Sequence, residues 1–368
     1  MKFLAAAIET HPIAAATVAA APNLAARAAS RELGWAWIVS VLGSKTLRLG
    51  RRAFLTLTVA GLLPRLAQAQ HTGIRHRIGW ISTEPEPDPF LEGFREGLRR
   101  HGYVEGQNIL LELRYAPGNI EALRSDVSSL VRSKVAFIVA SGLAIRAIKT
   151  VEEVSVLFAI SGDPVELGIA KSLARPGRNF TGITFQSLEI AAKRIELLKE
   201  GIPRLRILAV LSNIDHPGET SERRATEMAA QALGITVAYI PFPPAEVERA
   251  LGTVPNARAD AMVVFPEGVT MRHRAKIAQF AIAQRLPAMF GWSEYADAGG
   301  LMSYGANQRE TYIHLASYAE KLLRGAKPAE LPIELPTRFE LVLNLKTAKV
   351  LGVTIPPPVI ARADRLIG

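Results

Sequence analysis

Strand-sized apolar runs that stop at a small polar residue and lead into an amphipathic helix recur from residue 77 onward. No other feature of the sequence limits the fold so tightly. In Phe158–Leu173 (FAISGDPVELGIAKSL) an apolar run meets Ser161-Gly162, Asp163 stands as a helix N-cap, and Pro164 takes the first helical position. Upstream, Arg77–Ser82 reads as a strand and Pro89–Gly102 as a helix with Phe90, Phe94 and Leu98 on one face. Asn108–Tyr115 is a strand, Ile120–Ser133 a helix, Val135–Ala140 a buried strand ending in Ser141-Gly142, and Val156–Ile160 the next strand. Repeating βα units imply a parallel sheet with helices on both faces.

The rhythm breaks at Arg175–Asn179 and the short extended segment Phe180–Phe185, then resumes after the helix Leu188–Glu200. Strands are expected at Ile207–Leu211, Thr236–Ile240, Ala261–Phe265 and Ala288–Phe290, with helices at Ser221–Leu233, Ala245–Gly252 and Arg272–Gln284. Ala298–Gly305 reads as a glycine-rich return segment, Glu310–Arg324 as a helix, Phe339–Leu345 as an edge strand and Val359–Ile367 as a terminal helix. Two arrays of similar size predict an α/β protein of two Rossmann-like lobes, each a parallel sheet flanked by helices, joined by a hinge of several crossings.

The N-terminal region differs. Arg51-Arg52 precede an apolar run, Ala53–Leu63, which ends in Ala67-Gln68-Ala69. Basic flank, short apolar core and A-x-A site are the parts of a secretory signal peptide, so residues 46–69 are expected to be a twin-arginine signal cleaved near Ala69. A run of 11 residues is too short to span a bilayer. Residues 1–45 fit no such scheme and are expected to be an extension arising from a start placed too far upstream. The net charge of +10 is concentrated here: residues 1–69 hold eight Lys/Arg and two Asp/Glu, against 36 and 32 in the remainder. The remainder lacks the basic surplus of a nucleic-acid partner. With no cysteine, disulfides, thiolate metal sites and cysteine nucleophiles are excluded.

The sequence carries no recognisable catalytic set. His71, His76, His101, His216, His273 and His314 form no metal-ligand spacing, and no nucleophile elbow, Walker loop or dinucleotide fingerprint is present. No enzyme activity, cofactor or metal is expected. What recurs is a polar or aromatic residue where each strand ends: Ser82, Ser141, Ser161, Asp163, Ser212, Asn213, Phe265, Glu267 and Trp292. In two facing lobes these ends share a cleft. Small hydroxyls and free N–H groups suit a carboxylate, Asp163 or Glu267 suits an ammonium, and Phe265, Trp292 and Tyr304 can wall an apolar side chain. Gly142, Leu143, Pro164 and Thr184 complete the candidate binding set. Each of these also has a structural reading, as a helix cap or a core residue.

From about Ile78 onward the chain resembles ABC-transporter substrate-binding proteins of the tryptophan/tyrosine-binding type, which have the periplasmic-binding-protein type I fold. The resemblance is carried by Gly93–Ile109 (GFREGLRRHGYVEGQNI), Ser161–Thr184 (SGDPVELGIAKSLARPGRNFTGIT), Ala298–Gly305 (AGGLMSYG) and Arg338–Asp364 (RFELVLNLKTAKVLGVTIPPPVIARAD). It implies that Phe180–Thr184 makes the first crossing and that Trp292–Leu301 returns the chain. Residues 76–184 with 293–332 would then form lobe 1, and residues 185–292 with 333–368 lobe 2. It further implies a monomer in the periplasm that takes a small ligand, an amino acid or related carboxylate, by hinge closure and delivers it to ABC permease subunits. Where many relatives carry Thr-Pro, this chain has Gly142-Leu143-Ala144, so the pocket loses a hydroxyl and gains an apolar side chain. The rival readings are an exported ligand sensor for a membrane receptor or kinase and, less favoured, an α/β enzyme.

Overall fold

A computed structural model of the chain describes residues 76–185 and 188–368. The expected extension (1–45), the expected signal (46–69) and His71 lie outside the described residues.

The first sheet opens with β1 (His76–Ser82). Asp88 then caps α1 (Pro89–Arg100), its Oδ1 accepting from the Phe90 and Leu91 N–H groups at 3.0 and 3.3 Å. The other Asp88 oxygen accepts from Trp80 Nε1 at 3.0 Å, which ties the helix start to β1. β2 (Ile109–Tyr115), α2 (Ile120–Arg132), β3 (Phe137–Ser141), α3 (Ile145–Ile148), β4 (Ser155–Ile160) and β5 (Phe180–Thr184) follow. The five strands are parallel in the order β2-β1-β3-β4-β5. Alternate residues face opposite layers: Ile78 and Trp80 join Phe94 and Leu98, whereas Ile81 and Ile138 join Leu123, Val127 and Leu130.

The second sheet is built from α4 (Leu188–Gly201), β6 (Ile207–Asn213), α5 (Glu219–Ala232), β7 (Thr236–Phe242), α6 (Val247–Thr253), β8 (Ala261–Val264), α7 (Gly268–Arg272), α8 (Arg274–Ala283), β9 (Ala288–Phe290), α9 (Ser293–Asp297) and β10 (Met302–Ala306). Then α10 (Gln308–Leu323) packs along α1, and β11 (Phe339–Asn344), α11 (Leu345–Leu351), α12 (Pro357–Ile360) and β12 (Arg365–Ile367) close the chain. The sheet order is β12-β11-β10-β9-β8-β6-β7.

Four expectations need correcting. The second sheet is mixed, because β11 runs antiparallel to β10. β11 is interior, not an edge strand; the edge is β12, which replaces most of the expected terminal helix by pairing Arg365–Ile367 with Val342–Asn344. Asp364 ends that helix by accepting the Leu341 N–H at 2.7 Å. The expected lobe boundary at residue 293 is also displaced: β10 pairs with β9 and β11, so the chain stays in the second sheet until Asn307. A glycine-rich composition suggested a crossing loop, but Met302–Ala306 is a buried strand. Finally, residues after Ser161 make one turn and no helix. Leu167 N–H reaches Asp163 O at 2.9 Å, but Ile169 and Ala170 N–H both return to Pro164 O, which closes the turn.

The sheets are linked three times: between Thr184 and Leu188, at Ala306–Gln308, and between Glu334 and Phe339. Just before the third link, Glu334 exchanges backbone hydrogen bonds with Gly182 and Thr184, each 3.0 Å.

Candidate functional site

The parallel strands of both sheets point their carboxyl ends into one cleft, where the loops that follow them meet. The lobes close over it, and the space left between the side chains amounts to about 20 Å³, room for about one water molecule. Thr83, Glu84, Phe90, Ser141, Gly142 and Leu143 line it from the first lobe, with Ala159, Ile160 and Ser161. His216, Pro217, Glu267, Gly268 and Trp292 come from the second, Phe185 from the first link, and Gln308 and Tyr312 from the start of α10.

One wall is aromatic. Phe90 stacks on Tyr312 with ring centroids 5.0 Å apart, and Trp292 meets Phe90 and Phe185 edge-on at 6.1 and 6.3 Å. These four rings come from α1, α10, the end of β9 and the first link, so the wall is continuous only when the lobes are together. The Tyr312 hydroxyl is 2.6 Å from Ser141 Oγ, and burial pushes its pKa above the usual tyrosine range.

The opposite features are ionic. Burial pushes the Glu84 carboxyl up to about 7, against the pull of Arg272, whose Nη1 lies 2.6 Å away on the facing lobe. Glu267 is raised by burial as well, but both its oxygens already accept backbone N–H groups, from Thr270 at 2.7 Å and Val269 at 2.8 Å. It closes a capping box at the start of α7. Behind His216, a buried chain runs through Glu222 to Arg194: His216 Nε2 is 3.2 Å from Glu222 Oε2, the other Glu222 oxygen accepts from Arg194, and Arg194 Nε donates to Tyr304 O at 2.8 Å.

The lobes touch across the cleft at several further points. Arg146 pairs with Asp215 at 3.3 Å, and Ser221 Oγ donates to Glu166 at 2.8 Å. Gly218 lies so close to Ser161 that a Cβ on it would sit 2.2 Å from the Ser161 carbonyl oxygen.

Of the residues expected from sequence, the structure brings Ser141, Gly142, Leu143, Ser161, Glu267 and Trp292 together around the cavity. The others stand behind it. Ser82 Oγ accepts the Glu84 N–H at 3.0 Å, and Asn213 Oδ1 accepts the Asp215 N–H at 3.0 Å, so each shapes a loop that carries a lining residue. Asp163 Oδ1 accepts from Val165 N–H at 2.7 Å, the cap reading of that residue, beside buried Pro164. Thr184 donates to the Gly162 carbonyl at 2.8 Å. Ser212 and Phe265 are fully buried, and Tyr304 packs against Phe339. Sequence reasoning passed over Glu84, Phe90, Phe185, His216, Gln308 and Tyr312. The last two could have been found, since they follow β10 as Ser161 follows β4, but the glycine-rich reading of Ala298–Gly305 hid that strand.

Among the described residues, no group of three or more His, Asp or Glu is placed to hold a metal, and no helix is long and apolar enough to cross a membrane. Residues 81–367 match the protein family described as ABC transporter substrate binding protein. A tyrosine-binding protein of Clostridioides difficile (strain R20291) is 21% identical over 285 residues, 74% of this chain and 79% of that one. The fold is shared with an ABC domain from Streptococcus pneumonia solved in complex with L-Trp, at a TM-score of 0.73 and 23% identity over 80% of this chain and 100% of that one. It also recurs in a glucose-galactose binding protein from Geobacillus stearothermophilus, at a TM-score of 0.54 and 13% identity over 73% and 97% of the two chains.

Proposed function

The chain belongs to the ABC transporter substrate binding protein family, a family of binding proteins and not of enzymes, and from that premise we propose that it captures an aromatic amino acid in the interlobe cleft. The observation that carries this reading is the cluster of Phe90, Tyr312, Trp292 and Phe185 that lines the cleft where the two lobes meet. Such faces accept a planar apolar group by stacking and edge contacts. Polar groups of Gln308, His216, Glu84 and Ser141 share the cavity, as a zwitterionic head requires. The names of the tyrosine-binding relative and of the L-Trp complex support the same class.

Capture proceeds by hinge closure. The ligand docks on one lobe, gains contacts to the other and shifts the open–closed population by its differential affinity. An exported monomer in the periplasm then presents the closed form to ABC permease subunits. Thermal-shift measurements against a panel of amino acids and sugars test the ligand class. L-Tyrosine or L-tryptophan at 100 times its dissociation constant adds about 2.7 kcal/mol of stability, and sugars leave the melting temperature unchanged. A response to sugars alone would sink the reading.

A further inference from the structure

Buried polar side-chain atoms in folded proteins nearly always have a hydrogen-bond partner, so one without a partner inside a binding cavity points at what the cavity is built to hold. Gln308 is 3% exposed and lines the cleft. Neither its Oε1 nor its Nε2 has a partner. It is the first residue of α10, directly after Asn307, whose side chain caps that helix by accepting the Glu310 N–H at 3.0 Å. From the facing lobe His216, 2% exposed, also lines the cavity with one ring nitrogen, Nδ1, unpartnered. In the neutral tautomer that keeps Nε2–H toward Glu222, Nδ1 is an acceptor.

Three other polar side chains of the cavity already have partners. Both Glu267 oxygens accept backbone N–H groups, the Ser141 hydroxyl is bonded to Tyr312, and Glu84 holds Arg272. A primary amide offers two donors and one acceptor group within a few ångströms, a pattern that neither a pure anion nor a pure cation satisfies.

We propose that Gln308 recognises the α-amino-carboxylate head of the ligand, Nε2 donating to the carboxylate and Oε1 accepting from the ammonium, with His216 Nδ1 as a second acceptor for the ammonium. This rests on the amino-acid reading above and deepens it by naming the specificity-determining residue. Gln308 stands at the end of the second link between the sheets and His216 on the second lobe, so one zwitterion bonded to both joins the lobes. An amine without the carboxylate, such as tyramine, leaves the Gln308 donor unpaired and is rejected.

Calorimetric titration of L-tyrosine and tyramine into the wild-type protein and into Gln308→Met tests this. The wild type prefers L-tyrosine by at least about tenfold; Gln308→Met, similar in shape but without the amide, weakens L-tyrosine about 10- to 100-fold, leaves tyramine nearly unchanged and melts no lower without ligand. A second variant, Gln308→Glu, keeps an acceptor, loses the donor, and turns the preference toward tyramine. A wild type that binds tyramine as tightly as L-tyrosine, or a Gln308→Met protein that keeps both affinity and preference, overturns the assignment and leaves the aromatic amino-acid reading standing. A wild type that binds no aromatic amino acid overturns both.

Discussion

At the scale of single residues, polar groups at strand ends divide into those that shape loops and those that face the cavity. Asp163 spends its carboxylate on its own turn, and Glu267 on the start of α7. Sequence shows which residues sit at strand ends, but whether a side chain turns back to the backbone or out to the ligand depends on local N–H groups free to take it. Glu84 is the exception with a measurable signature. Its pKa of about 7 in the folded protein exceeds the ordinary 4.5, so the folded state holds the proton more tightly and this group favours folding at low pH. That contribution is present below pH 4.5 and lost as pH rises through 7. Glu84→Gln should therefore flatten the fall in stability between pH 5 and pH 7, an effect of about 1–3 kcal/mol by urea denaturation at the two pH values. An unchanged slope would mean that Glu84 is ionised throughout.

At the scale of elements, the firmest join in the first lobe is between α1 and α10. Gly97 permits it: a Cβ there would meet Ile313 O at 2.4 Å and Ala316 Cβ at 2.6 Å. Gly97→Val forces the helices apart and should cost about 1–3 kcal/mol in urea denaturation, with the far-UV spectrum retained. A cost near zero would show that α10 is held by other contacts. The βα periodicity made four strands of the first sheet readable from sequence, but not the fifth: Phe180–Thr184, expected to be the first crossing, is a buried strand paired with Val156–Ile160, and its Thr-Gly-Ile-Thr carries no apolar run to reveal it. The end of the second sheet was not readable in that way. Met302–Ala306 carries a glycine and follows two more, and Arg365–Ile367 is a strand only because Val342–Asn344 offers it an edge. Pairing partners far along the chain set both, and no local period records them. The same gap hid Gln308 and Tyr312, whose place at the site depends on β10 belonging to the second sheet.

At the scale of the molecule, ligand capture depends on closure between two lobes. One apolar cluster already runs from Trp80 and Phe94 in the first to Phe290 and Tyr295 in the second, through the contact of Phe90 with Trp292. The exposed pair Arg146–Asp215 adds little to that union, because both partners are well solvated. The close approach of Gly218 to Ser161 is a sharper handle, since a methyl group at Gly218 prevents the observed contact of the lobes without touching the aromatic wall. The most direct measurement is small-angle scattering of the wild type and of Gly218→Ala, each with and without saturating L-tyrosine or L-tryptophan. One of these ligands should contract the wild type, and Gly218→Ala should bind at least about tenfold more weakly and not contract. Binding with no contraction of the wild type, or equal affinity and contraction in the variant, would contradict capture by closure.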